Sequence, residues 1–114
     1  VYATDVAEAF YAAATSKISN ERFNVGGGNP QSINYLVQLL KGDILYLPKR
    51  PGEPDVTFAN INKIQDMLKW QPKVSFENGV ACMLDEINHW KDAPLWDKDN
   101  IEIATRSWFK YMGK

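Results

Sequence analysis

Arg50 and Glu53 stand three residues apart in one loop and carry opposite charges. Pro51-Gly52 between them makes a natural tight turn, so both side chains can face one partner. A guanidinium takes phosphate oxygens two at a time through its planar fork, and a carboxylate accepts hydrogen bonds from hydroxyls. The plainer reading of the same loop is a surface ion pair worth ~0–1 kcal/mol. Gly26-Gly27-Gly28 ahead of a helix invites an anion-binding reading through its backbone N–H groups. No Lys-Ser/Thr follows it, and the third glycine of a dinucleotide fingerprint is missing, so a turn between strand and helix is the simpler assignment.

Other reactive residue types have simpler uses. Asp5 reads as a helix N-cap, Tyr2 as strand packing, and Cys82, set among apolar helical positions, as an inert core thiol. His89 is the only histidine and cannot build a metal site alone; a surface role suits it better. No Tyr-x-x-x-Lys pair occurs. Trp70 and Trp90 read as core. The cluster Trp96, Trp108, Phe109 and Tyr111 fits a core or a buried partner surface equally well.

The elements that must position these residues alternate. Asp5 with Glu8 resembles a capping box, and Val6, Ala9, Phe10 and Ala13 share one helical face. Arg22 to Val25 is strand-like. Ser32 caps a second helix with the stripe Ile33, Leu36, Val37 and Leu40, closed by Gly42. Strand candidates Ile44 to Leu47 and Val56 to Ala59 flank a Pro-rich loop. Asn60 caps a helix carrying Ile61, Ile64, Met67 and Leu68, and Ser75 caps another carrying Phe76, Val80, Met83, Leu84 and Ile87. A last helix is expected from Asp99, with Ile101, Ala104, Trp108 and Tyr111 on one face.

The bulk numbers bound the function. At 114 residues the chain has the size of one domain, and 45% apolar with 24% charged residues is ordinary for a globular protein. A net charge of -1, with Lys49-Arg50 the only basic cluster, gives no case for nucleic acid. No apolar run suggests a membrane span. The single cysteine excludes an internal disulfide and fits a reducing compartment, so a cytoplasmic location is expected. The opening Val1-Tyr2-Ala3-Thr4-Asp5 has neither an initiator Met nor a signal-peptide pattern, as expected for a piece of a longer chain.

Three segments in order carry a resemblance: Val1 through Ala9; Phe23-Asn24-Val25-Gly26-Gly27-Gly28 with Ser32-Ile33; and Arg50-Pro51-Gly52-Glu53 through Phe58-Ala59-Asn60 and Lys63 to Leu68-Lys69-Trp70-Gln71-Pro72. Together they resemble the C-terminal third of the extended short-chain dehydrogenase/reductases, the NAD-dependent nucleotide-sugar epimerases and dehydratases. Thr4, Glu53 and Asn60 depart from the acidic residue, Asp and Asp common there.

The resemblance implies an α/β fold: the C-terminal substrate-binding part of such an enzyme, with about five helices and three short strands. Residues 1–90 would be the nucleotide-sugar-binding domain and 91–114 an extension with an amphipathic helix. It implies Arg50 on the diphosphate of a UDP-sugar or similar substrate, Glu53 on the ribose hydroxyls, and Asn24 near the nucleotide. NAD and the catalytic residues would belong to a missing N-terminal dinucleotide-binding domain, and the first helix would pack on that domain or be hidden by self-association, as in a homodimer. Pro51 to Thr57 differ from the dehydratase pattern Pro-Gly-His-Asp-Arg-Arg-Tyr, so a 4-epimerase-like enzyme is the first expectation. The alternative is a stand-alone, non-catalytic binding module on the same scaffold.

Overall fold

A computed structural model describes residues 1–113. Five α-helices follow one another: α1 (Ala3–Thr15), α2 (Ile33–Leu40), α3 (Asn62–Leu68), α4 (Phe76–Asp85) and α5 (Lys98–Met112), with a 3₁₀ turn at Ile87–Trp90. The expected α/β fold with three short strands is not observed: there is no strand among the described residues. Residues 22–25, 44–47 and 56–59 run as irregular backbone instead. Their apolar composition favours extended chain, but a strand exists only through a ladder to a second one, and none forms here.

The core is small. Ala9 of α1, Ile61, Ile64 of α3 and Trp70 are buried, with Phe23, Val25, Ala59 and Leu68 packed around them. Asp5 ties this cluster together. It lies inside the first turn of α1 and does not cap it; Tyr2 holds the N-cap position without a side-chain bond. The Asp5 carboxylate is only 2% exposed and accepts from the backbone N–H groups of Lys73 and Val74, each at 3.1 Å. Its own carbonyl accepts the Trp70 indole N–H at 3.0 Å. Lys73 Nζ adds an ion pair to Glu8 one turn further along α1. Gly26 is needed for close approach, since a Cβ there would stand 2.8 Å from the Ala59 Cβ.

Local capping follows the sequence unevenly. Ser32 and Ser75 cap α2 and α4 as expected, accepting from Tyr35 N and Asn78 N. Helix α5 begins two residues earlier than expected, in a reciprocal capping box of Asp97 and Asn100. Helix α2 closes on Lys41, in left-handed backbone at φ 55°, one residue before Gly42. Helices α2 and α4 pack through a Tyr35–Phe76 ring stack at 5.9 Å and a Tyr35 hydroxyl donating to Glu77 at 2.7 Å.

Much apolar surface stays uncovered. The accessible area is 9729 Å² and the radius of gyration 18.0 Å, against ~6,300 Å² and ~13 Å for a self-contained monomer of this size. Of the face expected on α1, Ala9 is core and Val6 half-buried, while Phe10 is exposed. Trp90 is 60% exposed and Cys82 is exposed, so neither is the core residue its neighbours suggest. No helix is long and apolar enough to cross a membrane among the described residues.

Replacing Asp5 by Ala leaves two part-buried backbone donors without their partner and is expected to cost ~1–3 kcal/mol, read as a lower thermal midpoint. The Tyr35 hydroxyl holds the Glu77 carboxyl below its ordinary range. Its contribution is therefore present above that range and fades as pH falls through the depressed value. Protection of the α2 amides, taken relative to the intrinsic exchange rate at each pH, is expected to fall on such acidification, and Glu77→Gln to remove that pH step.

Candidate functional site

The loop from Arg50 to Glu53 folds as the sequence suggests. Glu53 N–H donates to the Arg50 carbonyl at 3.3 Å, closing a turn whose third residue, Gly52, sits at φ 78°. Only glycine adopts that backbone without strain. Arg50 and Glu53 project together and form an ion pair with each other, with about two-fifths of each side chain exposed. Lys49 and Asp55 pair beside them, and Lys49 holds the Asp55 carboxyl below its usual range.

Helix α5 lies against this loop. The Trp108 indole N–H donates to the Pro51 carbonyl at 2.8 Å. The Arg50 guanidinium stands over the Trp108 ring, 5.6 Å from its centroid. Met112 reaches the turn as well: a Cβ on Gly52 would meet its methyl at 3.1 Å. Between loop and helix runs a groove of about 1090 Å³, with Lys49, Arg50 and Glu53 on one wall and Lys98, Arg106 and Trp108 on the other. The groove is open, and most of the side chains that line it are exposed.

The third expected residue is elsewhere. Asn24 donates its amide to the Asn60 carbonyl at 3.2 Å and does not line this groove. A second, smaller hollow of about 370 Å³ lies by the glycine turn, among Gly27, Gly28, Phe58 and the amides of Asn60, Gln65 and Gln71. His89 is an exposed residue paired with Glu86, in keeping with a surface role.

The tail residues Trp96, Arg106 and Trp108 were not assigned to this groove from the sequence. Their signal was the aromatic content of residues 96–111, equally compatible with a core. Trp96 is 67% and Trp108 43% exposed, so the cluster is no core.

The chain is 32% identical over 98 residues to UDP-glucuronate 4-epimerase of Thermodesulfobacterium geofontis, covering 80% of this chain and 27% of that one. It is 35% identical over 95 residues to CDP-paratose 2-epimerase of Salmonella typhi, covering 75% and 28%. With dTDP-glucose 4,6-dehydratase of Shigella flexneri it shares 30% identity over 132 aligned positions, covering 100% and 35%. The matches fall on the C-terminal parts of these relatives. The chain belongs with the C-terminal portion of the extended short-chain dehydrogenase/reductases. It spans about a quarter to a third of the length of these relatives. No family model matches it, and no solved structure does. Against that family, the Arg50–Glu53 turn is the segment whose side chains line the larger groove.

Substituting Gly52 by Ala is expected to strain the turn and push Met112 away, at about 1 kcal/mol or more. A changed Trp108 indole N–H resonance would register the displacement.

Proposed function

We propose that this chain is the nucleotide-sugar-binding part of an NAD-dependent epimerase, with Arg50 on the diphosphate and Glu53 on the ribose hydroxyls. The observation that carries the reading is the Arg50–Glu53 pair on one turn, lining one groove. Arg50 and Glu53 are each other's partners, so a ligand enters by exchange. A diphosphate replaces Glu53 on the guanidinium, and ribose hydroxyls replace Arg50 on the carboxylate. Both charges stay satisfied throughout. The printed activities of the relatives, a UDP-glucuronate 4-epimerase and a CDP-paratose 2-epimerase, support a nucleoside diphosphate sugar as substrate class.

This chain's glycine turn does not fit NAD. Gly26 is spent on contact with Ala59, and α2 begins only at Ile33, so no helix N-terminus follows the turn directly. In this reading NAD and the catalytic residues belong to a preceding dinucleotide-binding domain, and the chain alone does not turn over substrate. The uncovered apolar surface supports that arrangement over a stand-alone module: Phe10, Tyr11, Leu45, Tyr46 and Phe58 are each more than 60% exposed. Residues 1–90 carry the loop and the small core, and 91–114 supply α5.

Titration of the chain with uridine diphosphate tests the reading. Arg50→Ala is expected to weaken binding by ~1.5–3 kcal/mol, as for loss of a charged hydrogen-bonding partner. Unchanged affinity in that variant rejects the assignment.

A further inference from the structure

We infer that α5 forms the second half of the nucleotide site, with Arg106 binding the diphosphate directly and Trp108 fixing the Arg50 turn. This rests on the nucleotide reading above and adds a wall that reading does not contain. Along α5 the groove is lined from Lys98 to Phe109: Ile101, Thr105 and Phe109 share one helix face, and Arg106 and Trp108 stand on its opposite flanks.

Charge points to an anion. The groove gathers Lys49, Arg50, Lys98 and Arg106 against Glu53 and Glu102, in a chain whose net charge is -1. Lys49 and Arg50 are already engaged by Asp55 and Glu53. Lys98 and Arg106 make no ion pair among the described residues. The cations free to meet an incoming diphosphate therefore sit on α5. Arg106 offers the bidentate fork, whereas Lys98 offers a point charge.

Trp108 acts differently. It holds the turn from two directions, through its indole N–H to Pro51 and its ring face under the Arg50 guanidinium. A cation over an aromatic ring is held by the ring's quadrupole without using up its hydrogen-bond donors. Trp108 is thus a positioning residue for Arg50. The exposed indole of Trp96 on the same groove offers an apolar face to the rest of the ligand.

The test is calorimetric titration of uridine diphosphate into the chain at several salt concentrations. Arg106→Gln lies on an exposed position, and its fold is checked by circular dichroism. It is expected to weaken binding about 10-fold or more and to flatten the salt dependence. Trp108→Leu is expected to weaken binding to a similar degree, and Trp108→Phe, which restores a ring face under Arg50, to recover most of it. If Arg50→Ala abolishes binding while Arg106→Gln and Trp108→Leu leave affinity unchanged, α5 has no part in the site and the nucleotide reading still stands. If the unaltered chain shows no saturable binding up to the millimolar range, both fall together.

Discussion

The buried carboxylate of Asp5 is the constraint on which the rest of the small core depends. A charge at 2% exposure persists only where every lone pair in use meets a donor, and here the donors are two consecutive backbone N–H groups of another segment. With the Asp5 carbonyl accepting from Trp70, the start of α1 is stapled to the exit of α3 over a span of nearly seventy residues. Ala9 and Ile64 then meet, and Trp70 closes over them. Hydrophobic area alone would not fix that geometry, because four buried side chains have many ways to cluster.

Beyond that staple and the α2–α4 packing, the chain holds together in a looser place. Helix α5 touches the Arg50 turn through Trp108 and Met112, a polar and aromatic contact on a solvent-facing groove. The staple and this contact differ in kind. One is a satisfied, buried junction, and the other an open junction whose charges are paired with each other.

What the sequence made legible follows from how local each cause is. Ser32 and Ser75 were readable as caps because capping needs only the next three residues. The turn at Pro51-Gly52 was readable for the same reason, as was the surface placement of His89. Asp5 misled because an acidic residue near a helix start usually caps it, and nothing local reveals backbone donors at positions 73 and 74. The strands misled through composition: Ile44 to Leu47 has the residues of a strand but no partner to pair with. Trp108 shows the same limit, since its partner Pro51 lies 57 residues away.

The central claim is that the Arg50 turn and α5 together grip a nucleoside diphosphate. Locating a bound manganese–uridine diphosphate complex by paramagnetic broadening in NMR spectra measures this most directly. The metal rides on the diphosphate, so the account predicts selective loss of the Arg50, Arg106 and Trp108 side-chain resonances. Broadening centred on the Gln65 and Gln71 amides beside the glycine turn, with those three signals intact, would contradict it.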